Sequence, residues 1–233
     1  MLTILANYVQ DLLKLDEIPD FPGAKNGLQL ENSGKVTKIA AAVDAHLPVI
    51  EKATQIEADL LLVHHGMFWQ GAQRIQGRIY KKLKMAMDND LAVFSAHHAL
   101  DVHPKLGNNA VLAKALGLKD PEPFFFWKGT PIGMKFKTRI GREQFLKKVE
   151  KATGAKAHLC PGGPETIRSV GICTGGAGSE IYDVAKQGID TFVTGEGPHW
   201  SYTSAEELGL NLIYGGHYAT ETFGVKALAA HLS

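Results

Sequence analysis

The apolar run Leu60-Leu61-Leu62-Val63 stops abruptly at His64-His65-Gly66. A run this short, ended by a glycine and rich in aliphatic residues, reads as a buried strand, Asp59–Val63. Successive side chains on a strand point to opposite faces. Two adjacent histidines at its tip therefore do not readily chelate one ion, but they can grip two ions lying side by side. The chain needs a sheet whose strand ends collect metal ligands, and the remaining ligands must come from elsewhere.

The order of elements supplies such a sheet. Met1–Leu13 repeats its apolar residues at helical spacing, and Leu28–Leu30 is a short strand. Val36–Val43 reads as a central strand, followed by a helix from about Asp44 to Ile56. A helix over Gly77–Asn89 leads to the strand Leu91–Ala96, and Asn108–Leu116 is helical. Strands are expected again at Met134–Thr138, Val170–Thr174, Thr191–Thr194 and Leu210–Tyr214, with helices at Arg142–Thr153, Ser179–Gln187 and Tyr218–Leu232. Strands alternating with helices indicate α/β layers with a largely parallel sheet. Pro121–Gly133 is rich in proline and aromatic residues, with Phe124-Phe125-Phe126-Trp127 in a row. Such a cluster is costly in water, so it is expected at an interface between domains or subunits. The boundary is placed there, giving domains 1–126 and 127–233.

Composition removes several function classes. A chain of 233 residues with 45% hydrophobic and 21% charged residues builds a core without disulfides. A net charge of +1 gives no electrostatic case for nucleic acid. The basic run Arg74, Arg78, Lys81, Lys82 and Lys84 is expected to be a solvated helix face. Cys160 and Cys173, the only cysteines, have no zinc spacing and read as buried thiols. The first residues lack a basic region and a cleavage site, so they form an amphipathic helix rather than a signal peptide. No apolar stretch is long enough to span a bilayer, and a cytoplasmic location is expected.

In open parallel sheets functional groups gather beyond the carboxyl ends of strands. Three strand ends here carry metal-type ligands. One gives His64 and His65. Another gives His97 and His98, then Asp101. The last gives His217, four residues before Glu221 at the start of a helix, so these two share a face. Gly215 and Gly216 let the backbone turn and approach an ion. Three imidazoles and two carboxylates suit Zn, Fe, Mn, Co or Ni and exclude a soft thiolate site. Five ligands leave two ions open to water and substrate. His46, His103, His158, His199 and His231 read as structural or exposed. The turn Thr174–Ser179 is either an anion cradle or a packing turn. Glu196, after Thr194-Gly195, is a general base, a substrate contact or a cap. Phe68 and Trp69 either wall a pocket or belong to the core.

These motifs in this order resemble the NIF3-like family of dinuclear metal-centre proteins, also named GTP cyclohydrolase type 2 homologues. The resemblance rests on Asn26-Gly27-Leu28-Gln29, Val63-His64-His65-Gly66, and His97 to Asp101 followed by Gly107-Asn108-Asn109. It continues through Cys173-Thr174-Gly175-Gly176, Thr194-Gly195-Glu196, and His217 with Glu221. It implies two α/β layered domains with mostly parallel sheets and a metal site in the cleft at strand carboxyl ends. The segment 210–233 would return His217 and Glu221 to that site. The implied ligands are His64, His65, Asp101, His217 and Glu221, with Glu221 bridging and Asp101 terminal on one ion. His97 matches a position beside the metals that is not usually a ligand, and it is expected either to support a ligand or to transfer protons; Glu196 is the second catalytic candidate. His98 stands where many members carry Thr. The long insertion of larger members is missing here. The resemblance also implies a toroidal homohexamer, a trimer of dimers.

Two divalent ions per subunit, about 3.5–4 Å apart, would share a hydroxide and polarise a scissile group. The expected function is a metal-dependent hydrolase acting on a small molecule, for instance a nucleotide. Purine-like ring opening, amide hydrolysis and phosphoester hydrolysis all fit. A metal-storage or metal-delivery protein needs the same ligands without substrate residues. A ring-shaped nucleic-acid binder would need basic residues gathered on an inner wall.

Overall fold

A computed structural model describes residues 1–233. The chain forms two compact units, one of Met1–Leu100 with Gly224–Ser233 and one of Asp101–Phe223. This division falls earlier than the 126/127 boundary read from the aromatic cluster, because that cluster is a strand within the second unit.

The first unit contains α1 (Leu2–Leu13), β1 (Gly27–Leu30), β2 (Ile39–Asp44), α2 (Leu47–Gln55), β3 (Leu60–His65), α3 (Gly77–Asp88) and β4 (Ala92–Ser95). Its sheet runs β1-β4-β3-β2. The strands β2, β3 and β4 are parallel, and β1 closes the far edge antiparallel to β4. Leu61 and Val63 pack with Ile50 and Ala53 of α2 and Ala86 of α3. Leu60 and Leu62, on the other face of β3, are buried as well. Coverage on both faces explains the unbroken apolar run. Each fully buried leucine contributes about 1.5–3 kcal/mol. The expectation that Val36–Val43 is a central strand is corrected: β2 lies at the sheet edge, and only Val43 in it is buried. Only Ala86 is buried on α3; Arg78, Lys81 and Lys84 are solvated, while Lys82 is half-buried and donates to the Ala45 carbonyl at 2.9 Å. The unit ends inside α4 (His98–Val102).

The second unit contains α5 (Asn108–Leu116), β5 (Glu122–Trp127), β6 (Thr130–Gly141), α6 (Arg142–Thr153), β7 (His158–Pro161) and β8 (Thr166–Ile172). A 3-10 turn (Ala177–Glu180) follows, then α7 (Ile181–Ala185), β9 (Thr191–Thr194), α8 (Trp200–Glu207), β10 (Asn211–Tyr214) and α9 (His217–His231). From Gly224 onward α9 belongs to the first unit. The sheet order is β5-β6-β8-β9-β10-β7. Its centre, β8-β9-β10, is parallel, and β5, β6 and β7 pair antiparallel. Alternation along the parallel strands separates two cores. Val193 and Ile213 join Leu112, Phe145 and Val149 on one face. Phe192 and Leu212 join Phe124, Ile181 and Ala205 on the other.

The aromatic row is β5, a strand of the second unit. Phe124 and Phe125 are both buried, although neighbours on a regular strand face opposite ways. Phe125 has φ 49°, and the pairing with β6 passes over it. That irregularity turns both rings into the core and leaves Phe126 57% exposed. Cys160 and Cys173 are free and buried, as their spacing suggested. No helix is long and apolar enough to cross a membrane.

Candidate functional site

In the first unit the parallel register sets the histidine pair. His65 is the register partner of Asp44 across β2 and β3. Its Nδ1 donates to Asp44 Oδ1 at 2.9 Å. His64, fully buried, donates from Nδ1 to the Ala96 carbonyl at 2.9 Å, just past the end of β4. His97 donates from Nδ1 to Asp20 Oδ1 at 2.7 Å. Each acceptor takes the Nδ1 proton and fixes the tautomer whose Nε2 carries the lone pair. The ring centroids of His64 and His65 lie 4.8 Å apart, and those of His64 and His97 lie 4.9 Å apart. The two adjacent histidines converge because His65 is the last residue of β3, where the pleat no longer holds the rings apart. Donor atoms of His64, His65 and His97 all lie within 4.8 Å of one another, a group that could hold a metal ion.

Asp20 carries a second network. Its Oδ2 accepts from Asn26 Nδ2 at 2.8 Å and from the His98 N–H at 3.0 Å. Burial opposes its ionisation, but the His97 hydrogen bond and the charges of His97 and His98 outweigh burial and hold the carboxyl well below its usual range. His98 stacks on His97 at 4.5 Å. The Trp69 ring meets His97 edge-on at 4.8 Å and His65 at 5.7 Å, so Trp69 walls the imidazole cluster.

In the second unit three parallel strands end together. The backbone ladder continues past them, from Gly195 N to Gly175 O at 2.7 Å and from Gly216 N to Gly195 O at 3.0 Å. This approach requires glycine at 195: an added Cβ would lie 2.5 Å from Gly175 O and 2.6 Å from His217 Cα. It also requires glycine at 175, where φ is +76° and a Cβ would collide with Glu221 Oε1. His217 and Glu221 open α9 on one face, with Nε2 and Oε1 3.1 Å apart. His217 Nδ1 donates to Glu196 Oε1 at 3.0 Å. The Glu221 hydrogen bond, then the Glu221 charge and Glu196, raise the imidazole to about 9 against the opposing effect of burial. An imidazole held between two carboxylates is a place a divalent cation satisfies as well as a proton does.

Asp101 and Glu221 are buried carboxylates, 8% and 2% exposed. Asp101 Oδ1 accepts from Asn108 Nδ2 at 2.8 Å and from Thr174 Oγ1 at 3.2 Å. Burial first, then the charges of Asp101 and Glu221, push the Cys173 thiol up, so it stays protonated. Buried carboxyl groups of this kind are held by hydrogen bonds or by cations. A donor set of histidine nitrogens and carboxylate oxygens could hold a metal ion.

Of the two readings of the Thr174–Ser179 turn, the packing one fits. Four of its amides are already bound: Thr174 N to Asn109 Oδ1 at 2.9 Å, Gly175 N to Thr220 Oγ1 at 3.1 Å, Ala177 N to Thr194 Oγ1 at 3.1 Å and Gly178 N to Glu196 O at 3.0 Å.

Residues 2–233 match the family described as Duf34/NIF3 (NGG1p interacting factor 3). The chain belongs to the DUF34/NIF3 family. It is 39% identical over 230 residues to a Deinococcus radiodurans protein named GTP cyclohydrolase 1 type 2 homolog, covering 98% of this chain and 87% of that one. A Pyrococcus abyssi protein of the same name is 37% identical, with 96% and 90% covered. Among solved structures, TTHA1606 from Thermus thermophilus superimposes with a TM-score of 0.90 at 37% identity, covering 99% of this chain and 92% of that one. Reduced HcgD from Methanocaldococcus jannaschii gives a TM-score of 0.86 at 30% identity, with the same shares covered.

The remaining motifs of the resemblance hold the segments that carry His64, His65, His97 and Asp101 in place. Asn26 Oδ1 accepts the His97 N–H at 2.9 Å, and Gln29 Oε1 accepts the Met67 N–H at 2.7 Å, so this loop pins the segments after β4 and β3. Asn109 ties Thr174 to the Ile132 carbonyl, and Asn108 orients Asp101. Asp20 and Asp44 are residues of the candidate site that the sequence alone does not announce as such. Their one sequence signal is a polar residue beside a loop or strand end. The partners of Asp20 and Asp44, His97 and His65, lie 77 and 21 positions away.

Proposed function

We propose that this chain is a dinuclear metal-dependent hydrolase of a small molecule, with His64, His65, Asp101, His217 and Glu221 as ligands to two divalent ions. One observation carries the reading. His64, His65 and His217 each commit Nδ1 to an oxygen acceptor, which presents Nε2 as the ligating nitrogen. Backing of this kind is the usual support of a metal-bound histidine. The names of the relatives add ring opening of a purine-like heterocycle to amide and phosphoester hydrolysis as the reactions to test.

Such ions, when bound, supply Lewis-acid polarisation and make a water more acidic. The protein's own groups do the rest. Asp20 holds the Nδ1 proton of His97, so Nε2 of His97 accepts a proton and later returns it. Glu196, with a side chain 65% exposed, holds His217 in place and remains open to solvent and substrate. Trp69 screens the imidazole cluster from water. The same reading includes assembly as a toroidal homohexamer, a trimer of dimers, expected to sediment as six copies of the 25.2 kDa chain.

The test is a hydrolase screen of protein reconstituted separately with Zn, Fe, Mn, Co and Ni, using purine nucleotides, amides and phosphoesters. Metal-dependent turnover that His97→Ala abolishes without loss of bound metal supports the reading. Rapid ion exchange with no turnover on any substrate class contradicts it and indicates metal delivery instead.

A further inference from the structure

The second unit holds a cavity of about 360 Å³ lined by His158, Gly197, Pro198, His199, Tyr202 and Tyr214. That volume lies within the range of small-molecule sites, roughly 300–1,000 Å³. The walls come from three elements. Tyr214 of β10 is the register partner of His158 of β7, so the two residues sit side by side on adjacent strands. Tyr202 projects from α8, its ring 5.5 Å from that of His158. Pro198 and His199 close the turn between Glu196 and α8.

The cavity pairs a rigid wall with unused polar atoms. The Tyr214 hydroxyl is anchored on Ser201 Oγ. Its surroundings are close-packed, since a Cβ at Gly197 or Gly178 would collide with that hydroxyl. His158, His199 and Tyr202, by contrast, make no side-chain hydrogen bond with the protein; both histidines are exposed and Tyr202 is half-buried. Flat apolar faces with donors and acceptors at their edges match a planar heteroaromatic ring, which stacks on one and hydrogen-bonds to the other. Gly197 follows Glu196 directly, and Glu196 holds His217. The cavity lining thus begins one residue beyond the carboxylate that holds His217.

We propose that this cavity binds the planar heteroaromatic base of a small-molecule ligand. That the ligand is also the substrate rests on the hydrolase reading above; binding of the ring does not. His158 and His199, structural or exposed histidines by sequence alone, become base-recognition residues.

The test is equilibrium dialysis of guanosine, adenosine and cytidine, with ribose 5-phosphate as the probe lacking a base, and with metal content measured on the same samples. At least one nucleoside should bind and ribose 5-phosphate should not. Tyr202→Ala should weaken nucleoside binding about tenfold or more, while Tyr202→Phe keeps the stacking face and most of the affinity. His199→Ala should weaken it at an unchanged fold. No nucleoside binding, equal binding of ribose 5-phosphate, or wild-type affinity in both Tyr202→Ala and His199→Ala overturns the proposal. Failure of the hydrolase reading has a different signature: nucleoside binding persists, and its loss in Tyr202→Ala is seen, while metal or turnover is missing.

Discussion

Asp44 and His65 are joined twice: they are register partners across β2 and β3, and Asp44 Oδ1 accepts the His65 Nδ1 proton at 2.9 Å. The carboxylate fixes the ring and its tautomer, leaving the Nε2 lone pair for a ligand. Asp44→Ala is expected to weaken metal binding about 10–100-fold, the usual cost of removing such a partner. Asp44→Asn, which keeps an oxygen acceptor without the charge, should fall between. Competition with a chelator measures both; an unchanged affinity would dissociate Asp44 from the metal ligands.

Asn108 places an amide on Asp101 inside the protein. Asn108→Ala withdraws that donor from a buried carboxylate oxygen and is expected to cost about 1–3 kcal/mol of stability. Urea denaturation reads the loss.

Gly195 sits where the ladder of β9 meets Gly175 and His217. Gly195→Ala must push these backbones apart and is expected to destabilise by about 1–3 kcal/mol. Gly34, with φ +95° and nothing within 4 Å of an added Cβ, is the control. Gly34→Ala carries backbone strain alone and should leave metal binding intact, whereas Gly195→Ala should reduce it.

Asp59 gives a pH prediction away from the ligands. The Thr37 side-chain hydrogen bond comes first, burial opposes it, and the Thr37 and Lys38 amides add to it, lowering the carboxyl from 3.8 to about 2. A lowered folded-state pKa means the unfolded chain takes up the proton more readily. The stabilisation is therefore complete above the unfolded value and is lost as pH falls from about 3.8 through about 2. Asp59→Asn should flatten the acid limb of the stability curve in that window, as followed by denaturation against pH.

The strand ahead of the histidine pair is readable because burial on both faces leaves a continuous apolar run. So are His217 and Glu221 as a helix-spaced pair, which the structure places 3.1 Å apart. The place of a strand within its sheet is not readable. Val36–Val43 has the apolar content of a central strand, yet β2 lies at an edge, because order in a sheet depends on long-range pairing. The local fold of the Phe124–Trp127 row is hidden for a related reason. A single left-handed residue, Phe125, turns two neighbouring rings inward, and no local pattern announces it. Asp20 is invisible as a site residue because its partner lies far along the chain.

Two ions held through five side chains, with Glu221 shared between them, are the core of the proposed function. Elemental analysis after reconstitution and desalting, on the wild type and on Glu221→Ala, tests it most directly. Two ions per wild-type chain, and no more than one in the variant, is the predicted result. Absence of stoichiometric metal from the wild type, or two ions retained by Glu221→Ala, would contradict it.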